Sequence, residues 1–294
     1  MNVWKHIKRV VKDPPPAYVF EISHAGIAFS RESKKHREFG FQPLEPDVLS
    51  ISPLKDNVVR PELFFDQVKQ FAPANGSSRT AALILPDYSA RVAILDFDNF
   101  PSDKEEQLSL VRFRMKKSIP FELESAKVSY QAQSSGSKKH EVVAVATALE
   151  IVARYEAAFR AAGFRVGLVT TSSLAAHKLI SGAGVRVATK LDGSVLTIAV
   201  AEDQNLRLLR CVELPELTAE DVGAVLYPTF AYVEDRLDQR PPSLLMCGYG
   251  ELAASVSEQV TAELGIPVEP LRSRLGKVDE TNTGLLGLLE GIGE

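Results

Sequence analysis

The chain has 294 residues, enough for two domains or one large bilobal one. Its 45% apolar and 24% charged residues are ordinary for a globular protein, and a net charge of −4 gives no general reason to expect nucleic acid as a partner. Two cysteines, Cys211 and Cys247, argue against a disulfide framework or a cysteine-rich zinc site and fit a reducing cytoplasm.

The N-terminal stretch MNVWKHIKRVVK has no signal-peptide apolar region, and no run in the chain approaches the roughly 18–20 apolar residues that cross a bilayer. On a helical wheel Val3, Trp4, Ile7, Val10 and Val11 fall on one side and Lys5, Lys8, Arg9 and Lys12 on the other. Pro14-Pro15-Pro16 forbids continuation of that helix. Two readings stay open. The helix packs on its own globule with its basic residues in water, or Trp4, Lys5, Lys8, Arg9 and Lys12 meet an anionic membrane surface or a partner.

Strands are expected at AYVFEIS, GIAFSRE, TAALILP and RVAILDF, with a helix at RPELFFDQVKQFA before the third. A helix at EEQLSLVRFRMKK, a strand at KVSYQAQ, a hairpin-like loop and a nearly all-apolar strand at EVVAVATA follow. LEIVARYEAAFRAAG reads as a strong helix closed by Gly163, RVGLVTT as a strand and SSLAAHKLI as a helix. After SGAG the pattern restarts: strands VRVATKL, VLTIAVA and LRLLRCVEL, a helix over EDVGAVLYPTFAYVEDRLD, a strand SLLMCG, a helix ELAASVSEQVTAEL, a short strand PVEPL and a last apolar stretch TGLLGLLEGI. Each half opens with adjoining strands and passes to crossover units. That order suggests two related α/β lobes with a cleft between them. The expected boundaries are 1–16 for the basic helix and proline linker, 17–183 for the first lobe with a small subdomain inserted at about 100–140, and 184–294 for the second, its terminal helix returning to the first.

The passage RFRMKKSIPFELESAKVSYQ runs from a basic helix end through Ile-Pro-Phe to a strand with Tyr-Gln. It resembles the corresponding passage of the PilM family of type IV pilus assembly proteins, and more distantly the cytoplasmic domains of type II secretion proteins. VAVATALEIVARYEAAFRAAGFRVGLVTTSSLAAHKLI, SLLMCGYGELAASVSEQVTAELGIPVEPL and TGLLGLL agree with it in order, so the likeness covers roughly residues 17–294. It implies an actin-like (ribonuclease H-like) bilobal α/β fold. It also implies a scaffold at the cytoplasmic face of the inner membrane that binds the N-terminal cytoplasmic tail of a PilN-like protein in a groove on the first lobe. Other pilus assembly proteins, peripheral membrane contact and an oligomer belong to the same expectation; nucleic acid does not.

Pro120 disfavours helical geometry at Ile119, which lets Ile119 and Phe121 pack under the following strand and set the angle of the small subdomain. Packing alone and packing plus partner contact both remain open for this joint.

ATP-binding members of the fold hold phosphates between two hairpins, each with an acidic residue, glycine and small polar residues, because bare backbone N–H groups cradle phosphate and acids manage magnesium. Here FEISHAGIAFSRES sets Glu21 where an aspartate is expected, Ser23 for a glycine and Ala28 for a lysine. In ATKLDGSVLTIAV an ungapped match puts Lys190 at the acidic position, while Asp192, Gly193 and Ser194 are the right kinds of residue in a shortened Asp-Gly. Gly248 and Gly250, between strand and helix, fit a nucleoside or simple turn geometry. The balance is a scaffold with a degenerate nucleotide site, no certain cofactor, no catalytic residue and no metal. An ATP- and magnesium-binding ATPase or sugar-kinase relative is the alternative. His6, His24, His36, His140 and His177 show no metal spacing, Asp96 and Asp98 read as a solvated strand end, and the basic run at 34–37 reads as a charged turn.

Overall fold

The computed structural model describes residues 16–32, 36–73, 79–133, 139–180 and 182–292. The first sheet is built from β1 (Tyr18–Ile22), β2 (Gly26–Glu32), β3 (Arg37–Pro43), β4 (Arg79–Leu85) and β8 (Phe164–Thr171) in the order β3-β2-β1-β4-β8. The second uses β9 (Val185–Asp192), β10 (Val195–Glu202), β11 (Asn205–Glu213), β12 (Leu244–Cys247) and β13 (Val268–Pro270) in the order β11-β10-β9-β12-β13. The two are built alike. Each starts with three antiparallel strands, and its first strand then pairs in parallel with the fourth, which pairs in parallel with the fifth.

Helices cover these sheets because their apolar faces have to leave water. Against the first sheet, α1 (Pro61–Lys69) and α3 (Leu149–Ala161) bury Phe64, Val68, Ile151, Tyr155 and Phe159 around Phe20 of β1. Each fully buried side chain of that size contributes about 1.5–3 kcal/mol. Against the second, α6 (Ala219–Leu237) and α7 (Ala253–Leu264) bury Val222, Leu226, Phe230, Val256 and Val260. Thr218 caps α6 by accepting the Asp221 N–H at 3.1 Å.

A third, antiparallel sheet, β5-β7-β6, joins β5 (Arg91–Phe97), β6 (Ala126–Ala132) and β7 (His140–Ala148), with α2 (Lys104–Met115) packed on it. Asp103 caps α2 by accepting the Glu105 and Glu106 N–H groups. The helix stops at Met115, earlier than Pro120 requires; a turn from Met115 O to Ser118 N and a bond from Arg112 Nη2 to Leu123 O fold the chain back first. Ile119 and Phe121 are half-buried against the apolar cluster of this sheet. The sheet also meets the second one. Val92, Ile94 and Val143 pack against Ala199, Ala201, Leu206 and Leu209, the Gln133 amide exchanges two hydrogen bonds with the Leu206 backbone, and Arg207 pairs with Glu141 and Glu202.

Two elements differ from expectation. β3 is a strand whose start coincides with the charged turn read at 34–37: Arg37 opens it, and Lys34 and Lys35 lie outside the described residues. Charged residues at its start, Gly40 and a closing Pro43 weaken its strand signal. SSLAAHKLI divides at Ala176 into two single turns, α4 (Ser172–Ala175) and α5 (His177–Ile180). The last helix, α8 (Thr283–Ile292), leaves the second half and lies on the first sheet, where Leu285, Leu286 and Leu289 pack on Val19, Ala28 and Ile84. Its glycines allow that approach: a Cβ at Gly284 would stand 2.8 Å from Ser172 O, and one at Gly287 2.5 Å from the Ala176 Cα.

Candidate functional site

The ends of β1 and β9 bring the two large sheets together. Glu21 of β1 is opposite Ala28 and Ile84, and Lys190 of β9 is opposite Thr197 and Cys247. Their side chains meet between the sheets and both are buried, at 0% and 5% exposure. The Lys190 ammonium lies 3.5 Å from Glu21 Oε1 and donates to Ser172 Oγ at 2.7 Å. The Ser172 hydroxyl donates in turn to Glu21 Oε1 at 2.5 Å. The other carboxylate oxygen, Oε2, accepts the Leu285 N–H at the start of α8, at 2.7 Å. Thr283, the first residue of that helix, meets Cys247 Sγ of β12 at 3.2 Å, so the helix N-terminus touches both halves.

Burial is the largest influence on each charge. It raises the Glu21 pKa, and Lys190, Ser172 and the Leu285 and Gly284 N–H groups pull it back without cancelling the rise. For Lys190 burial acts downward, but Glu21, Asp192 and Asp87 more than offset it and hold the group as ammonium above its ordinary value. Asp87 is itself occupied: it accepts the Ser173 N–H and hydroxyl at 2.7 and 2.6 Å.

The hairpin tips also meet. The His24 N–H donates to Asp192 Oδ1 at 3.2 Å, and the His24 ring lies against Gly193, whose backbone has φ of +60°. Ser23 closes its own turn, its Oγ donating to Gly26 O and accepting from Gly26 N. Ser194 O accepts from Leu214 N. The two hairpins thus meet at Lys190–Glu21 and at His24–Asp192, while Ser23 bonds within its own turn and Ser194 to Leu214. Gly248 and Gly250 line a cavity of about 460 Å³ together with Tyr249, Lys277, Asp279 and Glu280 among others. At Gly248 a Cβ would stand 2.2 Å from Leu191 O, so glycine is needed there for strand packing; Gly250 has φ of +51°. Tyr249 between them is buried and donates to Thr189 Oγ1. Among the described residues no group of His, Cys, Asp or Glu is placed to hold a metal ion. Trp4, Lys5, Lys8, Arg9 and Lys12 lie outside the described residues.

A second feature is a groove whose residues no sequence motif located. β8 is an edge of the first sheet and β6 an edge of the third, and they face each other across a groove. Two contiguous cavities of about 470 and 460 Å³ run along it, sharing Ser129, Val145, Leu168, Val169 and Thr170. Leu168 is 41% exposed there. The β4–β8 register slips between Ala81 and Ala82, which leaves Gly167 as a bulge in the edge strand.

Compared with solved structures, the chain superposes on that of a PilM–PilN type IV pilus biogenesis complex with a TM-score of 0.72, over 95% of this chain and 99% of that one, at 16% identity. The chain has the actin-like fold. A Bacteroides thetaiotaomicron protein with an actin-like ATPase fold and unknown function matches at TM-score 0.58, 12% identity, and 86% and 90% coverage of this and that chain. The cytoplasmic domain of EpsL, an inner-membrane component of the Vibrio cholerae type II secretion system, matches at 0.53, 12% identity and 94% of both chains. No family model and no curated protein sequence matches. Glu21 and Lys190 stand on the β1–β2 and β9–β10 hairpins of that fold. Among the described residues no helix is long and apolar enough to cross a membrane.

Proposed function

We propose that the chain is a scaffold of type IV pilus or related secretion assembly that binds the N-terminal cytoplasmic tail of a PilN-like inner-membrane partner and works without nucleotide. The observation that carries it is the Lys190 ammonium buried between the two halves. A bound magnesium nucleotide needs acids and open backbone there; this chain supplies its own cation, held by Glu21 and Ser172, while the Leu285 N–H donates to the second Glu21 oxygen. The fold is still the one seen in a PilM–PilN type IV pilus biogenesis complex.

The groove between β6 and β8 is the place we assign to the tail. An extended peptide adds main-chain hydrogen bonds along an open strand edge, and its apolar side chains meet Leu168, Val145 and Leu149. Such a partner holds the chain at the cytoplasmic face of the inner membrane without a span of its own. Titration calorimetry with a synthetic partner tail tests this. Leu168→Glu should weaken binding by about tenfold or more, and Lys190→Met should leave it unchanged. Tail binding that ignores Leu168→Glu removes the groove from the account.

A further inference from the structure

β3 is an open edge of the first sheet, and Phe39 and Phe41 on it are 46% and 44% exposed. Its backbone polarity can be read from the ladder. Leu44 N–H donates to Ala25 O, and the register pairs Gln42 with Ile27, Gly40 with Phe29 and Glu38 with Arg31. Bonded and non-bonded pairs alternate in an antiparallel ladder, so the N–H and C=O groups of Glu38, Gly40 and Gln42 face β2. Those of Phe39 and Phe41 face outward. Their side chains share the sheet face of Ala28 and Ser30, and with Leu285 and Leu286 of α8 they line a cavity of about 440 Å³.

We propose that this edge pairs with the same edge of a second copy, antiparallel, about a two-fold axis through Gly40. The stretch Phe39-Gly40-Phe41 reads the same in both directions, so the axis sets Phe39 of each copy opposite Phe41 of the other. Those are the residues whose backbone groups point outward, and each opposed pair exchanges two hydrogen bonds. The rings fall on one face as two cross-strand aromatic pairs over the cavity beside α8. The charges agree. Arg37 stands at one end of the strand, and exposed Glu45 and Asp47 follow the other end, so antiparallel pairing brings Arg37 of one copy toward the acidic end of the other. The other edges are less suited: β13 is three residues long and ends in Pro270, β11 and β5 lie against each other, and β6 and β8 face each other across the groove. Among the described residues the edge carries Arg37 and Glu38 at its start and Pro43 at its end, and Gly40 is required between them because a Cβ would meet the Phe29 ring at 2.4 Å. This inference does not depend on the tail or on the state of the cleft.

Sedimentation velocity of the full chain over a concentration series tests it. The chain should form a concentration-dependent dimer. Phe39→Lys and Phe41→Pro, the second removing an outward N–H together with its ring, should each weaken it by about tenfold or more while the chain stays folded. Register is read by mixing Phe39→Cys and Phe41→Cys chains. A bonded antiparallel pair has Cα atoms about 5.5 Å apart, within disulfide reach, so the mixture should oxidise to a mixed disulfide faster than either chain alone. A chain that is monomeric at every concentration, or a dimer indifferent to both β3 variants, overturns the proposal. So does a monomer whose β3 variants lose binding of a partner tail, which would give the edge to a peptide.

Discussion

Glu21 and Lys190 occupy the same position in the two copies of the sheet. Each sits three residues before the first central residue of its turn: Glu21 is opposite Ala28 where the turn centres between His24 and Ala25, and Lys190 is opposite Thr197 where it centres between Gly193 and Ser194. Each also faces the C-terminal end of its parallel neighbour, at Ile84 and Cys247. The duplicated site thus carries an acid in one half and a base in the other, and closing the halves neutralises both. The pair joins the two halves as an internal clamp.

Breaking one side of a buried ion pair strands the other. Lys190→Met should destabilise the chain by about 3–5 kcal/mol, because Glu21 stays buried without its counter-ion. Glu21→Gln added to it should recover a large part of the loss, giving strong coupling in a double-mutant cycle followed by chemical denaturation. Additive losses would mean the two groups do not act as a pair.

Alkaline pH supplies an independent check. The folded Lys190 holds its proton above the ordinary lysine value of 10.5. The unfolded chain therefore loses that proton first, binds fewer protons than the folded one, and stability falls as pH rises through the folded value. Glu21 has the same sign, since its folded pKa is also raised. Melting temperature should drop more steeply above about pH 10.5 in the native chain than in Lys190→Met. Parallel curves would remove the ammonium from the account.

Phe121 tests the joint. Its ring packs half-buried with Ile119 on the cluster of the third sheet. Phe121→Ala should cost about 1–3 kcal/mol, less than a fully buried ring. An unchanged denaturation midpoint would make the joint a surface feature.

Much of the fold was legible. Period-two strands and amphipathic helices follow from side chains that must face a core, and the restart after Gly184 is visible in the order of elements. β3 was not, since Gly40, Pro43 and its charged start carry little strand signal. Glu21 and Lys190 each stood out as the wrong residue for its hairpin, but nothing in sequence joins positions 169 apart. Ser172 and the Leu285 N–H were invisible as partners, one a common polar residue and the other a backbone group. The β6–β8 groove depends on how two sheets face each other, which no local pattern records.

The basic N-terminal stretch, outside the described residues, is proposed as a weak membrane contact. Each basic residue near an anionic surface contributes about 1 kcal/mol. The full chain should co-sediment with anionic vesicles at low salt and release at high salt, and a chain lacking residues 1–16 should not bind. Equal sedimentation of the two would leave the stretch as a packing or docking element.

Calorimetry of the purified chain with ATP and magnesium addresses the clamp most directly. With Lys190 and Glu21 satisfying each other, binding should be absent or weaker than about 100 µM and indifferent to magnesium. A micromolar, magnesium-dependent dissociation constant would contradict the account, because it would require the Lys190–Ser172–Glu21 network to open for a phosphate chain.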